Sequence, residues 1–245
     1  MDRLATPAEA RSAGALVARF HAATADLTHE FRSVRDGFHD TQRRMDALVA
    51  ALDHHRDHRH RDPVARLADG LLEAWRSWGE LPHLPARIVH GDLKVSNVRF
   101  SGPEARALID LDTLGRGTLD AELGDALRSW CNPAAEDEAP CFDLERFAAA
   151  MTGYATACAE AARGGPGGPT EAEWAALVPG IERIALELAA RFATDALEER
   201  YFGWDPARYA TRAEHDLARA RGQAALAAAV RQAASEARRR LGEAR

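Results

Sequence analysis

The chain has 245 residues, 46% hydrophobic and 29% charged, with a formal net charge of −6. This hydrophobic content excludes a disordered chain, and the acidic balance argues against a dedicated nucleic-acid binder. No apolar run is long enough to span a bilayer, and Met1–Phe20 carries Arg3, Arg11 and Arg19 without the apolar stretch of a signal peptide, so a cytoplasmic protein free of membrane is expected. The length suits one core, or two at most. Lys occurs once, at Lys94, and Asn only at Asn97 and Asn132. In a chain that avoids both residue types, a Lys and an Asn three positions apart mark the place to search. Cys131, Cys141 and Cys158 form no C-x-x-C pair and read as reduced packing thiols.

The first half reads as helix. Thr6-Pro7-Ala8-Glu9 is a capping box with Pro at the first helical position, followed by Leu16, Val17, Phe20 and Leu27 at helical spacing. A second helix carries Met45, Leu48, Val49 and Leu52. A third opens at Asp62-Pro63, places Val64, Leu67, Leu71, Trp75 and Trp78 on one face, and stops at Gly79. Between them, His54 and His58 stand one helical turn apart, but Arg56, Arg59 and Arg61 beside them would repel a cation. This stretch reads as a solvated loop.

At Ala86 the pattern changes. Arg87-Ile88-Val89 and Asn97–Phe100 are short β-prone runs, Ser101-Gly102-Pro103 is a turn, and Ala107-Leu108-Ile109 is the returning strand. Helices then resume, with Leu144, Phe147, Met151 and Tyr154 at 3/4 spacing. Arg163–Thr170 holds four Gly and two Pro and reads as a flexible loop inside one domain spanning 1–245. Thr170 and Glu173 cap a helix expected to kink at Pro179-Gly180, with Ile181, Ile184, Leu188 and Phe192 inward. Thr211 and Glu214 cap the last helix, and residues from about 236 to 245 form a basic tail.

The chemistry gathers in the middle, in His90-Gly91-Asp92-Leu93-Lys94-Val95-Ser96-Asn97 and, after the hairpin, Ile109-Asp110-Leu111-Asp112. A carboxylate follows a strand, with Lys two residues on and an amide five residues on. Further carboxylates stand where the hairpin returns. Asn97 and Asp110 offer the oxygen ligands that Mg²⁺ prefers, Lys94 can neutralise a transferring phosphoryl group, and Asp92 can orient a hydroxyl and accept its proton.

This segment resembles the catalytic loop of the protein-kinase-like superfamily, H-x-D-L-x-x-x-N followed by a metal-binding Asp. Gly91 and the Ile109–Asp112 ending make it similar to the aminoglycoside phosphotransferase and choline kinase family, and within it to N-acetylhexosamine kinases. Leu123-Gly124-Asp125-Ala126-Leu127-Arg128, Tyr201-Phe202 and His215-Asp216-Leu217-Ala218-Arg219 carry the likeness on, over about residues 7–230. The resemblance implies ATP- and Mg²⁺-dependent phosphorylation of a hydroxyl on a small-molecule acceptor such as a sugar, amino sugar or aminoglycoside. It implies Asp92 as catalytic base, Lys94 at the γ-phosphate, and Asn97, Asp110 and Asp112 as Mg²⁺ ligands. Asp125 is implied as the carboxylate fastening the loop backbone, His90 as the loop's packing histidine, and Tyr201 and Arg219 as groups facing the acceptor.

Two departures point to a small acceptor rather than a protein: no Arg follows His90, and no Phe-Gly follows Asp110. No G-x-G-x-x-G and no second Lys occur in the chain. The expected fold is therefore a mainly α, kinase-like C-terminal lobe with a small β-hairpin, lacking the β-rich N-terminal lobe. Because Asp92, Lys94, Asn97 and Asp110 are all intact, the expected reading is a truncated form of a longer parent enzyme; a non-catalytic binding or regulatory module and a lobe completed by a partner chain are the alternatives, and the uncovered lobe face would favour a homodimer.

Overall fold

A computed structural model describes residues 3–31, 39–162 and 168–245. Among the described residues seven α-helices carry most of the chain, and the strands form two short antiparallel ribbons. The α1 helix (Pro7–Ala23) starts where its capping box places it, with the Thr6 hydroxyl accepting from Glu9 N and the Glu9 carboxylate accepting from Thr6 N at 2.9 Å. It ends at Ala23, so Leu27 falls outside the helix and is exposed, contrary to the spacing. In α2 (Thr41–His54) Met45 and Leu48 are buried, whereas Val49 faces solvent. The α3 helix (Arg61–Arg76) buries Val64 and Leu71 and ends before Trp78, which stacks on Trp75 at a centroid distance of 6.1 Å. In the histidine-rich connection, His58 pairs with Glu199, and the described residues contain no group of three His, Cys, Asp or Glu side chains placed to hold a metal ion.

β1 (Arg87–Val89) pairs with β4 (Gly115–Gly117), and β2 (Val98–Ser101) pairs with β3 (Glu104–Leu108) in the expected hairpin. Between β1 and β2 runs the polar loop, ending in a 3-10 turn over Val95–Asn97. α4 (Leu119–Trp130) lies beneath this loop and is buried almost all round. α5 (Leu144–Ala162) carries Phe147, Met151 and Tyr154 into the core, as their spacing predicts. α6 (Glu171–Glu198) begins with the capping box of Thr170 and Glu173. It runs on as one helix through Pro179, and Gly180 lets the Asp120 carbonyl of α4 come close, since a Cβ there would lie 2.3 Å from that oxygen. The Gly/Pro loop expected over 163–170 falls for residues 163–167 outside the described residues.

α7 (Arg212–Ala244) is longer than the sequence suggests. The basic tail is its last turns, with Ala237 and Leu241 buried and Arg239 and Arg240 both paired to Glu236. The buried apolar residues form one cluster reaching from Leu4 to Leu241, with α6 at its centre against α2, α3, α4 and α7. Among the described residues no helix is long and apolar enough to cross a membrane.

The tightest seam is between α1 and α5. A Cβ on Gly14 would lie 2.0 Å from the Ala150 carbonyl oxygen, and one on Gly153 would lie 1.9 Å from that of Arg11. Gly153→Ala should therefore cost more than about 2 kcal/mol, because two helix backbones must part to admit one methyl. Gly70→Ala on α3, where nothing stands within 4 Å, should be neutral or stabilise by up to about 1 kcal/mol. Urea unfolding of the two variants checks the contrast.

Candidate active site

The loop after β1 turns sharply at Gly91, whose φ is +83° and where a Cβ would lie 2.7 Å from the Thr113 carbonyl oxygen. No side chain fits there without strain. Buried Glu122 on α4 binds the turn, its Oε1 accepting from His90 N at 2.7 Å and its Oε2 from Gly91 N at 2.9 Å. The Thr113 hydroxyl donates to the His90 carbonyl at 2.7 Å. Further along, Trp130 Nε1 donates to the Leu93 carbonyl at 2.8 Å and Val95 N donates to Ser129 Oγ. The inner side of the loop is thus satisfied by α4, while Asp92 and Lys94 stay on its open side.

His90 is fully buried, and it does more than pack. Asp92 N donates to its Nδ1 at 3.3 Å, which leaves the proton on Nε2 to donate to the Ile109 carbonyl at 3.0 Å. Ile109 N in turn donates to the Asn97 carbonyl at 3.0 Å. Ile109 is therefore held from both sides, and this sets Asp110, the next residue, beside the loop. Asp110 has a left-handed backbone, φ +66°, and an exposed carboxylate. Left-handed geometry in a non-glycine residue is uncommon, and Asp is among the side chains that tolerate it.

Asn97 is buried, and its Nδ2 donates both to the Asp92 carbonyl at 2.9 Å and to Asp92 Oδ2 at 3.0 Å. Among the described residues no donor reaches Asn97 Oδ1. The exposed carboxylates of Asp110 and Asp112 are oxygen donors of the kind Mg²⁺ prefers, and that ion takes few protein ligands and completes its shell with water and phosphate. Lys94 forms an ion pair with Asp92.

These residues open onto a cleft of about 680 Å³, lined on one side by Asp92, Lys94, Asp110 and Asp112 and on the other by Phe192, Tyr201 and Arg219. Seven carboxylates and four Lys or Arg side chains line it among the described residues, so its field favours cations. The buried Glu187 carboxyl on this wall is opposed by burial, yet hydrogen bonds from His39 and Thr41 hold it below its usual range.

Several sequence expectations change place. Asp125 does not fasten the loop; the loop amides belong to Glu122, and Asp125 is paired with Arg128 at 2.9 Å. Burial works against its ionisation, but the Arg128 charge and hydrogen bond keep its carboxyl below the usual range. Arg219 lines the cleft, but its guanidinium is engaged, donating to the Gly203 carbonyl at 2.7 Å and to Asp216 Oδ1 at 3.1 Å over the Phe192 ring. Tyr201 does present an exposed ring, against Phe202 and Arg191. Sequence reading missed Glu122, Thr113 and Trp130. Glu122 had a signal: it stands three residues after Leu119 and four before Ala126, inside the apolar stripe of α4, where an unpaired carboxylate is too costly to bury.

Residues 1–156 match the model of the phosphotransferase enzyme family, abbreviated APH. The match takes in the loop, both ribbons and α4, and stops before α6, Tyr201 and Arg219.

The clamp can be tested without any assay of activity. Glu122→Gln leaves one carbonyl to serve two amides and introduces a donor facing them. It should destabilise the fold by about 1–3 kcal/mol and speed hydrogen exchange at the amides of His90 and Gly91. Exchange measured by NMR checks this, and unchanged protection at both amides would contradict the clamp.

Proposed function

The chain belongs to the phosphotransferase enzyme family, and from that premise we propose that its cleft transfers the γ-phosphoryl group of ATP to a hydroxyl of a small molecule, with Mg²⁺ as cofactor. The acceptor is a sugar, an amino sugar or an aminoglycoside-like compound, and among these the motif likeness to N-acetylhexosamine kinases favours an amino sugar. The observation that carries the reading is the bonding around Asp92: its carboxylate is oriented by Asn97, faces the cleft, and stands beside an Asp110 fixed through Ile109.

Asp92 accepts the proton of the acceptor hydroxyl as that oxygen bonds to the γ-phosphorus and the bond from that phosphorus to the bridging oxygen breaks, releasing ADP. Asn97 and Asp110, with Asp112, would hold Mg²⁺, which neutralises charge on the phosphates. Lys94 leaves its pair with Asp92 for the transferring phosphoryl oxygens, so binding of donor and release of the base are coupled. Tyr201 offers a ring face to a sugar, whereas Arg219 serves by holding the segment that bears it.

We read the described residues as a kinase-like C-terminal lobe working in the cytoplasm. Because the single Lys of the sequence stands in the loop, a Gly-rich cover with its own lysine has to come from another segment or a partner chain.

Transfer from γ-labelled ATP to a panel of hexoses, hexosamines and aminoglycosides tests the reading, with the chain alone and with a β-rich nucleotide lobe supplied. Asp92→Asn should lower turnover by at least about 100-fold with an unchanged circular dichroism spectrum. Asp110→Asn should raise the Mg²⁺ concentration needed for half-maximal rate. If the chain transfers nothing in either setting and Asp92→Asn alters no property of it, the lobe is a binding module.

A further inference from the structure

One wall of the cleft is the segment from Tyr201 to Asp205, and with Arg200 before it this segment hangs from two buried carboxyl groups. Asp195, in the last turn of α6, is 2% exposed. Its Oδ1 accepts from Arg200 N at 3.0 Å and Tyr201 N at 2.8 Å, and its Oδ2 from Phe202 N at 2.7 Å. Asp216, on α7, is fully buried. Its Oδ1 accepts from Arg219, whose same nitrogen donates to the Gly203 carbonyl. Four consecutive residues, Arg200 to Gly203, are therefore fixed by two carboxyl groups, directly or through Arg219.

The Oδ2 of Asp216 is buried and finds no donor among the described residues. The Asp216 carboxyl also lies within hydrogen-bonding reach of Asp195. Two carboxylates cannot hydrogen-bond to each other, and an acceptor buried without a donor opposes folding. A single proton removes both difficulties, because one acid then donates to the other and the pair carries one charge, which Arg219 offsets.

We infer that Asp216 keeps a proton that it donates to Asp195, and that the two residues together form a positioning latch for the Tyr201–Asp205 wall of the cleft. Burial, and then the charge of Asp195, push the Asp216 carboxyl up to about 7. Arg219 is the cation that acts on Asp216, while Arg44 on α2, Arg191 and Glu198 on α6 and Arg200 after it line one pocket with Asp195. Arg212 adds a hydrogen bond to the Phe202 carbonyl that does not depend on the pair.

The sign of the pH effect follows. A carboxyl whose folded value is raised binds more protons folded than unfolded. The stability it contributes is present at low pH and is lost as pH rises from about 4 through about 7. Above that range two negative charges face each other in the seam, and the amides of the wall loosen.

Asp216→Asn is the decisive variant. Asn is isosteric, donates permanently to Asp195, and still offers an oxygen to Arg219. In the wild type, protection of the Arg200, Tyr201 and Phe202 amides, corrected for intrinsic exchange, should fall at least about tenfold between pH 5.5 and 8. In Asp216→Asn it should stay flat. Carbon-13 NMR of the wild type should show an Asp carboxyl titrating near 7 that Asp216→Asn lacks. An identical amide profile in the two proteins overturns the latch, as does the absence of any Asp carboxyl titrating above about 5.5. Should the variant not fold, the wild-type carboxyl titration decides alone.

The effect on catalysis rests on the function proposed above: the acceptor KM should rise several-fold above pH 7 in the wild type and stay level in Asp216→Asn. Amide exchange and carboxyl titration need no turnover, so failure of the latch and failure of the phosphotransferase reading are seen separately.

Discussion

Everything chemical in the cleft depends on two hydrogen bonds, from the amides of His90 and Gly91 to the buried carboxylate of Glu122. They fix the turn whose left-handed glycine aims the chain into the loop. From that turn, Asp92, Lys94 and Asn97 take their places by backbone position alone. Burying a carboxylate is expensive, but one that accepts two amide hydrogens offsets much of the cost, and His21 adds a third contact at 3.4 Å. Each of these donors left unpaired would cost about 1–3 kcal/mol. The clamp thus makes the loop geometry steep rather than soft, which a proton transfer over hydrogen-bond distance requires.

The frame closes through Ile109. Its carbonyl takes the His90 ring proton and its amide feeds the Asn97 carbonyl, so the hairpin return and the loop cannot shift independently. This links two carboxylates distant in sequence, that of Asp92 and the exposed one of Asp110, through backbone and one imidazole. Because Asp92 N occupies Nδ1, the tautomer of His90 is set by the loop it supports.

The two sides of the cleft are held by different physics. Backbone amides closing on the buried Glu122 carboxylate, a tryptophan N–H, a hydroxyl and the His90 imidazole hold the loop side. Two buried acids hold the opposite wall, and one of them has its carboxyl raised to about 7. On the proposed function and the inferred latch, the reacting groups stay fixed while the wall that meets the acceptor responds to pH.

Legibility in the sequence followed the same division. The capping boxes at Thr6 and Thr170, the run Arg87–Val89 and the hairpin after Asn97 are local signals, each set by residues within a few positions, and the structure has them where the spacing put them. The strand Gly115–Gly117 carries no β-prone residue; it exists because β1 needs a partner, and Gly117 admits the Val89 side chain against its backbone. Pro179 and Gly180 read as a kink because the local rule sees a helix breaker. The tertiary fact is a close crossing with α4 inside a 28-residue helix, and packing outweighs the lost hydrogen bond. Asp125 and Glu122 lie one turn apart on α4, and which of them reaches the loop is a question of helix phase that the motif leaves open. The family match ends at residue 156, before α6 and α7, where Asp195, Asp216 and Arg219 stand. On the proposed function this division is physical: transferring a phosphoryl group asks for one fixed constellation, and recognising a particular hydroxyl asks for a wall whose shape is free to differ.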